Sequence, residues 1–300
     1  MSRLTEPARV DGRMLREWPL PAPGGSKNAR GRVVVIGGSE HSPGAVMLAG
    51  IAALRGGAGR LTLVTPPRIA LPVAVAVPEA GVLALGDGGP DAASDPLGQP
   101  ARSEISAADA VLLGPGLDDA EAARRLVEAV CATDGAPAAL VLDAFALGVL
   151  PELDVALPRD AVLSPNLDEA GILLGHHEDP RDRGAGAAPD PDLDVAAAVQ
   201  RIADRYGAVT TCFGEVAAPG GRAWQVAAGG PGLGTSGSGD VLAGAIAGLL
   251  ARGADAARAA VWATHLHASA GTRLSGRIAD VGYLARELCD ELPHVLAATG

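Results

Sequence analysis

The sequence of 300 residues has few aromatic residues, few cysteines and one lysine, Lys27. Aromatic side chains are 2% of the chain, so small and branched aliphatic residues must form its core. The three cysteines, Cys131, Cys212 and Cys289, are far apart and lack Cys-x-x-Cys spacing, which argues against a disulfide framework or a zinc site. A P-loop needs a lysine after its glycines, and no lysine follows any glycine-rich turn beyond residue 30.

Positive charge is also scarce. The 24 basic residues are outnumbered by 35 acidic ones, giving a net charge of −11. This balance argues against nucleic acid or an anionic membrane as a partner, because either would need a basic surface. A nucleotide needs only a few local donors and is not excluded. The N-terminus has no apolar export segment and the chain no apolar run long enough to span a bilayer, so we expect a cytoplasmic protein.

Short apolar strands alternate with helical segments along the chain. The strands are predicted at 32–36, 61–64, 109–113, 138–142, 161–163 and 208–212, and the helices at 43–54, 121–130, 168–174, 194–206, 241–251 and 256–274. Residues 215–226 have the pattern of a hairpin that turns at 219–221. This alternation predicts an α/β fold with a mostly parallel central sheet and helices on both faces. We expect a single domain, with a core at about 31–292 after an N-terminal extension at 1–30.

The strongest local signal is the glycine-rich run at 230–239, which ends at Asp240 immediately before an apolar helix. A helix that begins near Asp240 leaves its first amides without partners and carries partial positive charge there. Glycines let the backbone approach a ligand closely, so this turn predicts a phosphate site. The Gly-x-Gly-x-x-Gly spacing at 232–237 does not indicate a Rossmann unit, because the chain continues as helix rather than as a second strand.

Asp240 has two interpretations. It is either a first-turn residue that the helix dipole stabilises, or a base that takes the proton of an acceptor hydroxyl while the amides hold a phosphoryl group. The density of glycine and serine before it favours the second. Gly244 and Gly248, four residues apart, should let this helix lie very close to a neighbour. Together with the aliphatic helices, they also offer a surface for a homo-oligomer.

The run from Ser238 to Gly244, Ser-Gly-Asp-Val-Leu-Ala-Gly, resembles the ADP-dependent NAD(P)H-hydrate dehydratase family, which has the ribokinase-like fold. Further matching segments lie at 34–39, 43–45, 54–59, 78–79, 113–117, 141–144 and 163–165. The order and spacing of these segments agree from about residue 31 to 292. The chain is too short to hold, in addition, the epimerase domain that is often fused in front of this family.

The resemblance implies a lyase of cofactor repair. Such an enzyme phosphorylates the C6 hydroxyl of hydrated NADH or NADPH with ADP, or with ATP, and loss of phosphate restores the reduced cofactor. It implies Asp240 as the base, and Ala45, Gly116, Asn166 and Asp240 as contacts to the hydrated cofactor. Nucleotide contacts implied in the same way are Phe213, Gly214, Glu215, Val216, Ala217, Gly237, Ser238 and Gly239. Mg²⁺, with no ligands assigned, and a homo-oligomer, either a dimer or a tetramer, are also expected.

The sequence departs from the family pattern at two predicted contacts. Asn166 lies where the family has a histidine, and Phe213 precedes Gly214 where the family has a lysine. Losing that lysine should weaken phosphate binding, and Phe213 could instead pack on a base. Two alternatives therefore stay open. One is a ribokinase-like kinase of a vitamin precursor or sugar, and the other is a catalytically impaired nucleotide-binding relative.

Three more polar positions have open roles. Asp143, at a strand end, either orients a ligand or caps the following helix. His41 lies in a turn beside the expected cleft and is a candidate substrate contact. His265 and His267 are two residues apart, so on a helix they point in different directions, and packing roles are expected rather than a metal pair.

Overall fold

Within the described residues, which are 6–86, 95–133, 137–175, 194–227 and 229–300, ten strands form one sheet in this computed structural model. In chain order the strands are β1 (Ala8–Val10), β2 (Arg32–Ile36), β3 (Arg60–Thr65), β4 (Gly81–Ala84), β5 (Ala110–Leu113), β6 (Ala139–Leu142), β7 (Asp160–Leu163), β8 (Val209–Cys212), β9 (Glu215–Ala218) and β10 (Arg222–Val226). Across the sheet the order is β1-β10-β9-β8-β7-β6-β5-β2-β3-β4.

The sheet is parallel over most of its width. From β8 through β7, β6, β5, β2 and β3 to β4, each neighbouring pair is parallel. The β8–β9 and β9–β10 pairs are antiparallel, which confirms the predicted hairpin at 215–226, and β1 pairs in parallel with β10. The carboxyl ends of the parallel strands therefore open onto one edge of the sheet, where ligands of α/β proteins collect.

The helices that the structure describes are α1 (Gly12–Glu17), α2 (Pro43–Gly56), α3 (Pro67–Ala76), α4 (Gly98–Ser106), α5 (Ala120–Cys131), α6 (Phe145–Val149), α7 (Leu167–Leu173), α8 (Val195–Tyr206), α9 (Ser238–Ala251), α10 (Ala256–Arg277) and α11 (Ala285–Thr299). Each helix predicted from the sequence is found, with its ends shifted by a few residues. None of the helices in the described ranges has both the length and the apolar character needed to cross a membrane.

Helices cover both faces of the sheet, as predicted. In β2, Val33 and Val35 point to one face and pack with buried residues of α2, α9, α10 and α11. Val34 and Ile36 point to the other face and pack with α4, α5, α6 and α7. Alternation along a strand explains this division, because successive side chains point to opposite faces. Both faces are apolar, as in parallel sheets buried on two sides.

Helices α2 and α9 lie unusually close together. A Cβ atom on Gly244 would come within 2.1 Å of the Ala49 carbonyl oxygen, and one on Gly248 within 2.3 Å of the Ala53 carbonyl oxygen. Any side chain at either position would collide with the α2 backbone, so the predicted close packing of this helix is confirmed. The two glycines face α2 inside the same chain, so the prediction that they form part of an oligomer surface is wrong.

The N-terminal extension packs against the core. Strand β1 forms one edge of the sheet, and the ring of Trp18 stacks on that of Trp224 with centroids 5.6 Å apart. The indole nitrogen of Trp262, a buried residue, donates to the Trp18 carbonyl oxygen at 2.9 Å. The extension therefore adds buried contacts at the β10 edge.

Five of the described helices, α1, α3, α4, α6 and α11, were not predicted from the sequence. Two of them contain an internal proline, Pro72 in α3 and Pro293 in α11. A proline in a helix interior removes a backbone hydrogen bond and costs about 3 kcal/mol, so the sequence pattern argues against a helix there. In α11 the burial of Leu288, Leu292 and Val295 offsets that cost.

Candidate active site

Two glycine-rich turns interlock at the carboxyl edge of the sheet, one after β2 and one after β5. The Gly38 amide donates to the Pro115 carbonyl oxygen at 2.7 Å. A Cβ atom on Gly116, whose φ is +73°, would lie 2.9 Å from the Ala45 Cβ and 2.6 Å from the Ser42 carbonyl oxygen. Ala45 and Gly116, two of the predicted substrate contacts, are thus direct neighbours at a place that admits only small residues.

The start of α9 reaches the same edge. Gly237 caps the helix in a left-handed conformation (φ +88°), and no side chain makes a capping hydrogen bond. The Ser238 amide donates to the Thr235 carbonyl oxygen at 3.2 Å, whereas the amides of Gly239 and Asp240 have no acceptor among the described residues. Of the predicted nucleotide contacts at 237–239, Ser238 therefore has an amide that is already engaged. Asp240 adds one more amide without an acceptor in the described part of the chain.

Asp240 is a half-buried carboxyl in the first turn of α9. Its burial raises its pKa to about 6. A carboxyl group with this pKa is ionised at neutral pH yet is a stronger base than an exposed aspartate, which suits it to accept a proton from a hydroxyl.

Asp143, at the end of β6, is a second buried carboxyl. Its Oδ1 accepts a hydrogen bond from Ser164 Oγ at 3.0 Å, and its side chain does not cap α6. Burial raises the pKa of Asp143 well above its ordinary value, and the charges of Glu169 and Asp240 raise it further. Helix capping, one of its two interpretations, is therefore wrong. The carboxyl instead lies within electrostatic range of Asp240.

Glu169 completes an acidic group and was not predicted from the sequence as a site residue. It forms a capping box with Asn166 at the start of α7: the Glu169 amide donates to Asn166 Oδ1, and the Asn166 amide to Glu169 Oε2, each at 2.9 Å. Burial is the main cause of the raised pKa of Glu169. The Asn-x-x-Glu spacing was a signal for the capping box. Asn166 itself is exposed.

The acidic group suits a hard cation that arrives with phosphate. No three His, Cys, Asp or Glu side chains in the described part of the chain form a ready metal site. Mg²⁺ prefers oxygen ligands and commonly takes one or two carboxylates together with water and phosphate oxygens. Asp143, Glu169 and Asp240 provide carboxylates of the right chemistry for such an ion.

Ser238 turns its side chain away from the mouth of α9. Its hydroxyl pairs with Nε2 of His267 on α10 at 2.9 Å, and both residues are buried. Burial lowers the pKa of His267 to about 4, so the imidazole is neutral. His265 instead approaches Ser269 and Thr299 at 3.5 Å, so the expectation that the two histidines point apart is confirmed.

Phe213 and Gly214 form the two-residue turn between β8 and β9. Both have positive φ values, +51° and +88°, as in a type I′ hairpin turn. Phe213 is 76% exposed. In the strand that follows, Val216 and Ala217 are buried and lie between paired neighbours, whereas Glu215 is half-buried and accepts from Gln225 Nε2 at 2.7 Å. Nucleotide contacts at these positions stay predictions.

His41 lies at the rim of the Gly116 turn. Its Nδ1 is 3.1 Å from Asp118 Oδ2, and both side chains are exposed. Hydrogen bonds from Ser39 and His41 lower the pKa of Asp118. A contact between His41 and substrate stays a prediction.

Comparison with known proteins identifies relatives along nearly the whole chain. The model of the NAD(P)H-hydrate dehydratase family matches residues 33–294. The ADP-dependent (S)-NAD(P)H-hydrate dehydratase of Xanthomonas campestris is 45% identical over 296 residues, covering 96% of this chain and 95% of that protein. The chain spans about half the length of the bifunctional NAD(P)H-hydrate repair enzymes that it also matches.

Solved structures agree with this match. The ADP/ATP-dependent NAD(P)H-hydrate dehydratase of Bacillus subtilis, co-crystallized with ATP and Mg²⁺, has a TM-score of 0.78 at 26% identity, covering 98% of this chain and 99% of that one. A ribokinase-like superfamily protein of Enterococcus faecalis has a TM-score of 0.77 at 24% identity, covering 98% of this chain and 96% of that one. The predicted ribokinase-like fold is confirmed.

Proposed function

The chain belongs to the NAD(P)H-hydrate dehydratase family, and we propose that it removes water from hydrated NADH and NADPH, with an adenine nucleotide as phosphoryl donor. One observation carries the proposal: the half-buried carboxyl of Asp240 lies in the first turn of α9, next to amides that have no acceptor among the described residues. A base and an anion site side by side are what transfer of phosphate to a hydroxyl requires.

In the first step, the Asp240 carboxylate accepts the proton of the C6 hydroxyl. The hydroxyl oxygen bonds to the terminal phosphorus of the nucleotide, and the bond from that phosphorus to the bridging oxygen breaks, so that ADP leaves as AMP. The amides of Gly239 and Asp240 stabilise the charge on the transferring group. Mg²⁺, when bound near Asp143, Glu169 and Asp240, would neutralise phosphate charge.

In the second step, the bond between C6 and oxygen breaks, and its electron pair leaves with inorganic phosphate. The lone pair of the ring nitrogen stabilises the positive charge at C6. Loss of a proton from the adjacent ring carbon restores the dihydronicotinamide. Phosphorylation is needed because hydroxide is a poor leaving group and phosphate is a good one.

We propose that the hydrated ring lies against Ala45 and Gly116, which pack so closely on each other that no larger side chain fits between them. Asn166 uses Oδ1 in its capping box, which leaves its NH₂ group to donate to the substrate. It can hydrogen-bond as a histidine does but cannot carry charge, so it binds the substrate without acting as an acid or base.

For the nucleotide, we propose contacts to the amides at the start of α9, at Gly237 and Gly239, and to the turn formed by Phe213 and Gly214. Ser238 contributes through its backbone position, because its hydroxyl is held by His267. Contacts from Glu215, Val216 and Ala217 belong to the same proposal. ADP is the donor named for the Xanthomonas relative, and ATP is also named for the Bacillus one.

A cytoplasmic location and a homo-oligomeric state are also proposed, on the family resemblance alone. Light scattering of the purified protein tests the second of these. A mass equal to the 29.8 kDa of one chain would contradict it.

The experiment is incubation of hydrated NADH with ADP, and separately with ATP, followed at the dihydronicotinamide absorbance. We expect the absorbance to return together with AMP and inorganic phosphate when ADP is the donor. A stable phosphoester of another small molecule, without recovered absorbance, would instead support the kinase alternative. Nucleotide binding without turnover of any substrate would support the impaired relative.

A further inference from the structure

The two phenylalanines of this aromatic-poor chain are both exposed. Phe145 is 43% exposed and Phe213 is 76% exposed, whereas the tryptophans and tyrosines are buried or half-buried. Each phenylalanine comes shortly after a strand, Phe145 after β6 and Phe213 after β8, so both lie at the carboxyl edge of the sheet. Phe145 is also in none of the hydrophobic clusters that the described residues form. Its ring is therefore available to a ligand at the edge where α/β proteins bind them.

The backbone immediately before Phe145 is strained. Among the described residues, Ala144 and Phe213 are the non-glycine residues with positive φ. Ala144 has φ +50° and ψ −128°, which lies outside even the small left-handed region open to residues with a side chain. Such conformations cost free energy and cluster at ligand-binding sites. The two strained positions of the described chain thus coincide with its two exposed phenylalanines.

The strand order places Phe145 between two predicted contacts to the hydrated cofactor. Strand β6 lies between β5 and β7, so the turn after β6 lies between the turn at Gly116 and the start of α7, which Asn166 caps. Asp143, two residues before Phe145, accepts a hydrogen bond from Ser164 at the end of β7 at 3.0 Å. The start of α6, where Phe145 lies, is thereby joined to the same edge as both contacts.

We propose that Phe145 is a substrate-binding residue whose ring packs against the hydrated nicotinamide ring, between the contacts from Gly116 and Asn166. The inference rests on the proposed function, because it concerns the substrate of that reaction. A phenylalanine suits this position because it carries no charge that would disturb the acidic group at Asp143. The face of an aromatic ring also attracts a cation within about 6 Å of its centre, and the nicotinamide ring gains positive charge as phosphate leaves.

The experiment compares Phe145→Ala with wild type by calorimetric titration, with hydrated NADH in the absence of nucleotide and separately with ADP. We expect the Kd for hydrated NADH to rise about five- to thirtyfold in the variant, the effect of losing the partial burial of one aromatic ring. The Kd for ADP should stay within about twofold, because Phe145 lies among the substrate contacts. Phe145→Tyr, which keeps the ring, should bind both ligands as wild type does.

Val75→Ala is the matched control. Val75 is an apolar residue that is 75% exposed, and it lies near the end of α3, on the way back from the carboxyl edge to the start of β4. This variant should bind hydrated NADH as wild type does.

Two results would overturn the proposal. One is a Phe145→Ala variant that binds hydrated NADH as tightly as wild type; if its mass in light scattering is also lower, the ring instead serves a contact between two copies of the chain. The other is an equal loss of affinity for hydrated NADH and ADP, which would indicate a general disturbance of the fold.

The same titrations separate this inference from the proposed function. Wild-type protein that binds hydrated NADH but does not convert it would contradict the proposed reaction, and the comparison of variants would still decide the role of Phe145. Wild-type protein that converts hydrated NADH, with Phe145→Ala binding it equally well, would contradict the inference alone. Wild-type protein that binds no hydrated NADH would contradict both.

Discussion

Replacing Phe213 by asparagine should make the protein more stable and its nucleotide affinity weaker. Phe213 occupies the first central position of a type I′ turn, with φ at +51°, where asparagine and glycine are the favoured residues. Its ring is 76% exposed and therefore contributes little to the core. A residue that is unfavourable for the turn and adds little burial is explained if its ring binds a ligand.

The expected magnitudes follow from the turn and from stacking. A bulky residue in the left-handed region costs about 1–2 kcal/mol, most of which asparagine should recover. For a chain of this size, 1 kcal/mol corresponds to about 2–4 °C in Tm. Stacking between an aromatic ring and a base is worth about 1–3 kcal/mol, so the Kd for ADP should rise about 5- to 150-fold.

The assay is thermal unfolding of the two proteins, with calorimetric titration by ADP and by pyrophosphate, which has no base. Phe213→Tyr, which keeps the ring, is the control and should bind ADP as wild type does. Pyrophosphate affinity should be the same in all three proteins. An asparagine variant that binds ADP as tightly as wild type, or that loses pyrophosphate affinity to the same degree, would refute stacking on the base.

Asp240→Asn should lower kcat by at least about a hundredfold, the usual worth of a general base, with an unchanged or higher Tm; full turnover would show that another group is the base. Because burial raises the pKa of Asp240 from 3.8 to about 6, wild-type kcat should rise with pH up to about 6 and then level off. The contribution of this carboxyl to the free energy of unfolding should fall as the pH rises from about 3.8 to about 6, because the unfolded chain loses the proton first. Glu291 is buried and bonded to Arg273 at 2.7 Å and to Arg277, and these bonds lower its pKa. Glu291→Gln should therefore lower the free energy of unfolding by about 1–3 kcal/mol at neutral pH and by less in acid, where the wild-type carboxyl becomes protonated and loses the same bonds. An equal loss at all pH values would contradict this reasoning. Gly244→Ala should lower stability by about 1–3 kcal/mol, because the new methyl group would collide with α2. Gly276→Ala, with open space around its Cβ, should raise stability by up to about 1 kcal/mol. Equal Tm values for the two variants would contradict the close packing of α2 and α9.

Most of the strands, six of the described helices and the open start of α9 were predictable because their signals are local. Runs of branched apolar residues marked the strands, and the glycine run before Asp240 marked the open start of α9. Among the exceptions were α3 and α11, whose internal prolines are unfavourable to a helix taken alone. Packing of their apolar faces, which the local sequence does not reveal, stabilises them.

The environment of Asp240 was decided by the tertiary structure. Asp143, Glu169 and Asp240 are separated by tens of residues, and what brings them together is the order of the strands and the helix that packs over them. The raised pKa values arise from this shared burial, because charges influence one another through space rather than along the chain.

Taken by itself, the amino-acid sequence determined most of the strands, six of the described helices and the small residues at the close contacts, and it made Asp240 the candidate base. Only the folded chain decided that Ser238 bonds to His267, that Phe213 lies in a left-handed turn, and that Gly244 faces α2. The reason is that a residue's conformational preference depends on its immediate neighbours, whereas its contacts depend on which distant segments the sheet brings beside it.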